Sequence, residues 1–214
     1  MNARLIDISP LVSERIGVFP GDVPFKRDVS LRLDRGDNID LSAMRATLHL
    51  GAHADAPSHY AHGGASIERR PLSLYYGPCQ IMEVEVARGG RVQVKDLHLP
   101  IEAPRVLFKT GTFPDPDVFN EDFASLSPAL IDHLHARGVV LVGIYTPSVD
   151  PCADKILESH QALARHDMAV LEGLVLSHVD PGIYTLIALP LRLAGADASP
   201  VRAALLAPGG DFPA

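Results

Sequence analysis

The chain has 214 residues, 47% of them apolar and 21% charged, which is typical of a globular protein with a sizeable core. Its net charge of −7 offers no basic face to a phosphate backbone and argues against a nucleic-acid partner. The sequence has no CxxC pair, no signal-peptide apolar segment, and no apolar run near the roughly 20 residues that span a bilayer. We therefore expect one cytoplasmic domain over residues 1–214, without a membrane partner.

The first half of the chain predicts short strands. Residues 4–8 form the first of them, and period-two alternation over residues 25–33 and 41–48 predicts strands with one buried face. Residues 79–86 and 105–109 are further predicted strands. The 18 prolines and 17 glycines, distributed along the whole chain, favour many short elements joined by tight turns.

A helix and a buried strand are predicted next. Ser127 has the side chain of a helix cap, Pro128 suits the first helical position, and Gly138 is expected to end the helix. The continuous apolar run over residues 139–144 has the length and composition of a strand that is buried on both faces.

The last predicted elements complete a mixed architecture. We expect a short helix over residues 160–165, a strand over residues 169–171, and a strand over residues 182–193 that is broken or bent at Pro190. Many strands with few helices predict an α/β fold with a mixed β-sheet, and the pattern alone leaves an α+β arrangement open.

Five side chains that can bind metals or carry protons lie close together in the sequence. They are His49, His53, Asp55, His59 and His62, all within fourteen residues. Histidine is the commonest metal ligand, and imidazole with carboxylate but no thiolate favours zinc, manganese or iron. The residues alone leave a second interpretation open, in which this segment is an exposed loop whose histidines bond separately to backbone carbonyls.

The local sequence argues against a helix through this cluster. Gly51 and Pro57 interrupt any continuous helix, although His49 and His53 have helical spacing. Side chains two apart on a strand point the same way, so a strand would direct His53 and Asp55 to one point, and a turn at Gly51 would return His49 there.

The segment from His49 to His59 (His-Leu-Gly-Ala-His-Ala-Asp-Ala-Pro-Ser-His) resembles the motif of the cyclase-type metal hydrolases, a family that includes the bacterial kynurenine formamidases. Other segments similar to that family follow in the expected order: residues 7–10, 19–22, 146–151, 159–160, 169–176 and 195–202. The resemblance therefore covers the chain from about residue 5 to residue 205.

The resemblance implies a centre of two divalent cations. By this resemblance, His49, His53 and Asp55 hold one ion, and Asp55 bridges to a second ion held also by His160 and Glu172, with Glu172 reaching both. The expected metal is Zn²⁺, with Mn²⁺ as the alternative. The resemblance further implies a swivelling β/β/α fold that assembles as a homodimer.

The implied activity is hydrolysis of N-formyl-L-kynurenine to L-kynurenine and formate, in tryptophan degradation. Cations sharing Asp55 and Glu172 would lower the pKa of a water from about 15.7 toward neutrality, so that a hydroxide could attack the formamide carbon. His59 would be the catalytic acid and base, because an imidazole with a pKa of about 6.5 suits proton transfer at neutral pH. Phe19 would offer a flat apolar wall to the aryl ring of this small-molecule substrate.

Several alternatives stay open at this stage. His59 could orient a ligand instead of carrying a proton, and Phe19 could be ordinary core. Tyr145 stands where the family often has an acidic residue, Gln161 where it often has a second histidine, and Phe19 where tryptophan is common. These departures concern the substrate more than the metal. A relative acting on another aryl or cyclic amide such as isatin, and a binding protein without turnover, are the rival hypotheses.

Overall fold

The computed structural model describes residues 5–207, so Arg4 of the first predicted strand and both ends of the predicted domain lie outside the described residues. The strands are β1 (Leu5–Asp7), β2 (Lys26–Leu31), β3 (Leu41–Arg45), β4 (His53–Asp55), β5 (Tyr76–Glu83), β6 (Arg91–Val92), β7 (Arg105–Lys109), β8 (Ser125–Leu126), β9 (Leu141–Ile144), β10 (Ala169–Glu172), β11 (Gly182–Ile187), β12 (Ala198–Pro200) and β13 (Ala204–Leu206). The α-helices are α1 (Pro57–Tyr60), α2 (Pro128–His135) and α3 (Glu158–Arg165), and single 3₁₀ turns lie at Leu33–Arg35, Ile67–Arg69, Leu72–Leu74 and Val94–Asp96.

Nine of these strands form one mixed sheet in the order β1-β13-β11-β5-β7-β9-β10-β4-β12. The central strands β5, β7, β9 and β10 are parallel, whereas the strands on either side pair antiparallel. Helix α3 connects the parallel neighbours β9 and β10, as such strands require a crossover. The mixed sheet with few helices confirms the predicted α/β fold.

Apolar side chains cover both faces of the central strands because residues alternate between the two faces. On one face, strand residues pack against α2 and α3; this cluster includes Val106, Phe108, Val142, Val170, Leu130, Ile131, Leu134 and Leu163. On the other face, a second cluster includes Leu107, Leu141, Leu171, Ile81, Tyr75, Leu174, Leu186 and Leu205. The sheet is thus held in place from both sides.

Several local predictions agree with the structure. The Ser127 side chain accepts a hydrogen bond from the backbone N–H of Leu130 at 3.2 Å, so it caps α2, and Pro128 is the first helical residue. All four residues of β9 are buried, as the continuous apolar run predicts.

Two predictions are wrong. The strand expected over residues 182–193 ends at Ile187, and beyond it the Leu191 N–H donates to the side-chain hydroxyl of Ser199 instead of to a backbone carbonyl. Strands β2 and β3 pair only with each other, and within the described chain nearly all their residues are exposed, so neither strand has the expected buried face.

None of the described helices is long and apolar enough to cross a membrane.

Candidate metal centre

Strands β4 and β10 place three of the predicted ligands side by side. They pair antiparallel, with His53 directly opposite Glu172. Asp55 follows His53 by two residues and therefore projects on the same side of the strand. All three side chains are nearly inaccessible to solvent, with residue exposures of 2%, 1% and 3% for His53, Asp55 and Glu172. Three polar groups buried together require partners.

His49 reaches the same cluster from the segment before β4. Gly51 lies between them with a φ of +56°, a left-handed conformation that glycine adopts readily. The turn brings His49 Nδ1 within 3.0 Å of Asp55 Oδ1. On the other side of its ring, His49 Nε2 lies 3.1 Å from Asp197 Oδ2. Both ring nitrogens of His49 therefore face carboxylate oxygens; with a cation bound beside Asp55, Nδ1 would turn its lone pair toward that ion while Nε2 donates to Asp197.

His160 approaches Asp55 and Glu172 from helix α3. Its Nε2 atom lies 3.3 Å from Asp55 Oδ2 and 3.4 Å from Glu172 Oε1. The remaining oxygens of the two carboxylates face His53, whose Nε2 is 3.3 Å from both Asp55 Oδ1 and Glu172 Oε2. Each carboxylate therefore presents one oxygen to each side, which is the arrangement that a bridge between two cations requires.

Hydrogen bonds determine which nitrogen of each buried histidine is available. His53 Nδ1 lies 2.8 Å from the Gly51 carbonyl, and His160 Nδ1 lies 2.8 Å from Asp150 Oδ2. Both partners only accept, so Nδ1 carries a hydrogen in each ring, and Nε2 is the nitrogen that would bind a cation held by the carboxylates. Fixing the tautomer through the second nitrogen is a common feature of metal-binding histidines.

A glycine after β10 makes room for one of these hydrogen bonds. Gly173 has a φ of +65°, and a Cβ built on it would lie 2.1 Å from the Gly51 carbonyl oxygen. That oxygen is the acceptor for His53 Nδ1. The close backbone approach that only glycine permits therefore supports the orientation of His53.

The donor set fits divalent cations. Asp55 Oδ1 and His53 Nε2 are buried without a hydrogen-bond partner among the described residues. Burial lowers the pKa of His53, but Asp55 and Glu172 raise it more strongly, to about 10. Without a cation, protons must therefore balance the carboxylates. Three groups of potential ligands among the described residues have their atoms within 4.8 Å of one another: His49, His53 and Asp55; Asp55, His160 and Glu172; and His49, His59 and Asp197.

His59 lies beside this cluster on helix α1. Its side chain is 34% exposed, and its ring centroid lies 4.2 Å from that of His49 and 6.1 Å from that of His160. Its Nδ1 atom is 3.4 Å from Asp197 Oδ2. His59 is thus adjacent to the buried ligands but accessible, as a proton carrier must be. His62, three residues further along, is exposed.

An aromatic pocket opens next to the candidate ligands. Its lining includes Phe19, Phe113, Phe119, Tyr145, Leu174, His49 and His53. The Phe19 and Phe119 rings meet edge to face with centroids 5.4 Å apart. Phe19 therefore faces a cavity that is also lined by the candidate ligands His49 and His53. Tyr145 belongs to the wall, whereas the Gln161 amide donates to the Tyr60 carbonyl at 2.8 Å and ties α3 to α1.

The sequence prediction omitted several residues of this site. In the sequence analysis, Asp150 and Asp197 appear only as parts of matching segments, residues 146–151 and 195–202. Asp150 contacts His160 across one loop, and Asp197 contacts His49 from a distant segment; local spacing predicts neither contact. Phe113 and Phe119 carried no signal at all, because isolated phenylalanines are more often core.

Comparisons with known proteins agree with this geometry. Residues 6–151 match the family model described as "Putative cyclase". A kynurenine formamidase from Bordetella petrii is 44% identical over 204 residues, covering 94% of this chain and 97% of that protein. A solved structure described as a "Potential Metal-Dependent Hydrolase With Cyclase Activity" has a TM-score of 0.82 at 28% identity, covering 95% of this chain and 98% of that one. An isatin hydrolase bound to the product analogue thioisatinate shares the fold, with a TM-score of 0.80 at 19% identity over 97% of this chain and 93% of that one.

Proposed function

The chain belongs to the cyclase family, and on that premise we propose that it hydrolyses N-formyl-L-kynurenine to L-kynurenine and formate. The proposed substrate rests on one observation, the 44% identity over nearly the whole length to a protein named kynurenine formamidase. The chain is accordingly an enzyme of the hydrolase class. Its buried histidines and carboxylates beside an aromatic pocket supply the two parts that such an activity needs.

The proposed centre holds two divalent cations, Zn²⁺ before Mn²⁺. His49, His53 and Asp55 would hold one ion, and Asp55, His160 and Glu172 the other. The separate oxygens that Asp55 and Glu172 present to the histidines on each side support this count. When bound, such cations polarise a carbonyl and lower the pKa of a water from about 15.7 toward neutrality.

The aromatic pocket would orient the substrate. Phe19, Phe119 and Tyr145 offer apolar and aromatic surface to an aryl ring, next to His49 and His53. An aryl group held there would bring its formamide toward the buried carboxylates. Edge-to-face packing of Phe19 on Phe119 limits the rotation of both rings, which reduces the entropy lost when the substrate binds.

His59 would move the proton that hydrolysis requires. The oxygen of a water bonds to the formyl carbon, the C–N bond breaks, and the aryl amine leaves with a proton from that water on its nitrogen while the formyl group leaves as formate. With Asp197 beside Nδ1, the Nε2 atom of His59 is the nitrogen available for exchange. A general acid of this kind typically contributes about 10²–10⁴-fold to the rate.

The proposed assembly is a homodimer that uses the β2–β3 hairpin. Exposed apolar side chains cluster on this hairpin and its tip; they are Val29, Leu33, Ile39, Leu41 and Met44. An isolated two-stranded hairpin is at best marginally stable in water, so an ordered hairpin of this composition indicates a covering surface. A second copy would present the same surface, as two-fold interfaces do.

A cytoplasmic location stays a prediction from the sequence.

Turnover on two substrates tests the proposed activity. Purified protein loaded with Zn²⁺ or Mn²⁺ would be assayed with N-formyl-L-kynurenine and with isatin, by formate release and by ring opening. We expect formate from the first and little turnover of the second. Faster turnover of isatin would favour the cyclic-amide hypothesis, and bound metal with no hydrolysis of either would favour a binding protein.

A further inference from the structure

The Asp150 carboxylate occupies an unusual position for a group that no reaction step uses. It is completely buried, and it accepts hydrogen bonds from the backbone N–H groups of Ser159 at 2.9 Å and His160 at 3.0 Å. These N–H groups lie in the first turn of α3, and Leu157, the residue before this helix, provides no side-chain cap. Asp150 therefore caps α3 from the loop that leads into the helix.

The same carboxylate also controls the ring of His160. Oδ2 accepts the hydrogen of His160 Nδ1 at 2.8 Å, which leaves Nε2 facing Asp55 and Glu172. A cap alone would require only the backbone contacts. The additional bond to the ring holds His160 both in rotation and in tautomer, so that a lone pair points at the candidate metal group.

Arg91 on β6 stands behind Asp150. Its Nη1 atom lies 3.4 Å from Asp150 Oδ1 and 3.3 Å from Ser159 Oγ, and its side chain is 20% exposed. The Nη2 atom lies 2.9 Å from Asp154 and 3.3 Å from Glu158. The Arg91 guanidinium therefore gives the buried Asp150 carboxylate a positively charged neighbour on the side away from the His160 ring.

We propose that Asp150 and Arg91 are positioning residues that hold His160 ready to bind a divalent cation together with Asp55 and Glu172. This inference rests on the proposed metal centre. It assigns the two residues to one side of that centre only, because the described contacts of Asp150 and Arg91 do not include His49 or His53. Removing them should therefore weaken one ion and spare the other.

The test is calorimetric titration of metal-free protein with Zn²⁺ or Mn²⁺, with bound metal counted on the same samples. In Asp150→Asn, an amide replaces one oxygen and one of its N–H donors is left without an acceptor. We expect one ion to bind about 10–100-fold more weakly, and the other to keep its wild-type affinity within about twofold. Arg91→Gln should weaken the same ion to a smaller extent, and Arg91→Lys should restore part of the loss.

Glu158→Gln is the matched control, because Glu158 contacts Arg91 but not Asp150, and it should leave both affinities unchanged. Equal weakening of both ions, or unchanged binding in folded Asp150→Asn, would overturn the proposal. If Asp150→Asn does not fold, Arg91→Gln decides in the same way. The nitrogen-15 spectrum of metal-free protein adds a second reading, since the Nδ1–H signal of His160 should be lost or shifted in Asp150→Asn.

The wild-type stoichiometry separates this inference from the proposed function. One ion per chain would contradict the centre of two cations, while the difference between wild type and variant would still test Asp150. Two ions in the wild type with no selective loss in either variant would instead contradict the positioning role alone.

Discussion

Side-chain polarity and burial are related in opposite ways in two regions of the molecule. The first region is the strand pair β4 and β10, and the second is the β2–β3 hairpin. In the first region, His53, Asp55 and Glu172 are polar but almost completely buried. In the second, Leu41 and Met44 are apolar but 49% and 69% exposed. The difference teaches that the two proposed partners are of different kinds: a cation for the buried carboxylates and imidazoles, and a second copy of the chain for the exposed apolar hairpin.

Among the variants that keep their metal, the largest effect on the reaction is expected at His59, beside the buried cluster. His59→Ala should keep its metal and fold but lose about 10²–10⁴-fold in rate, because a general acid is missing. The loss should shrink for formanilides with electron-withdrawing rings, since a better leaving group needs less protonation. Rates across such a series would be measured together with metal content.

His62→Ala is the control for that variant, because His62 is an exposed histidine three residues away. It should leave the rate unchanged. Parallel loss of metal and rate in His59→Ala would mean that His59 is a ligand. A rate loss independent of the leaving group would mean that it positions substrate or water.

A change in the backbone below the metal centre should affect stability. Gly173→Ala places a Cβ against the Gly51 carbonyl and forces a left-handed conformation on alanine. We expect the free energy of unfolding to fall by about 2–4 kcal/mol, from strain and overpacking together. Gly63→Ala, at a φ of +73° with nothing within 4 Å, should lose only about 1–2 kcal/mol. Denaturant unfolding measures both, and equal losses would show that the close approach to Gly51 is unimportant.

The aromatic wall should affect binding more than rate. Phe19→Ala removes apolar surface worth roughly 1.5–3 kcal/mol when buried, which should raise KM about 10–100-fold with a smaller change in kcat. Tyr76→Ala changes an aromatic side chain that is 51% exposed on β5, and it should leave KM unchanged. A lower thermal stability with unchanged KM would identify Phe19 as core packing instead.

The hairpin variant should have the smallest effect on the chemistry. Leu41→Asp combined with Met44→Asp places charge on the proposed interface, so we expect a dimer to become a monomer in light scattering after size exclusion. Val118→Asp, at an apolar residue that is 62% exposed elsewhere, is the control and should not change the mass. A monomeric wild type would contradict the proposed homodimer.

Local sequence predicted the first half of the site because its residues are contiguous. His49, His53 and Asp55 needed only one glycine turn and one strand to meet. His160 lies 105 residues from Asp55, so no local spacing could join them, and only the family resemblance did. Neither local spacing nor the family resemblance predicted the contacts of Asp150 and Asp197.

The errors in the fold prediction have similar physical causes. Alternation over β2 and β3 predicted a buried face, but nearly all residues of these strands are exposed within the described chain. The predicted strand continues beyond Ile187 because the sequence there is apolar. In the structure, however, Leu189 and Leu191 are 46% and 51% exposed. Hydrophobicity predicts that a segment can be buried, whereas tertiary contacts decide whether it is.

The most direct measurement is formate release from N-formyl-L-kynurenine, followed together with bound metal in the same samples. Protein stripped by a strong chelator should release no formate, and added Zn²⁺ or Mn²⁺ should restore the rate as the ions bind, up to two per chain. Asp55→Ala should bind fewer than two ions per chain, and added metal should not restore its activity. Full activity in demonstrably metal-free protein would contradict a metal-dependent formamidase.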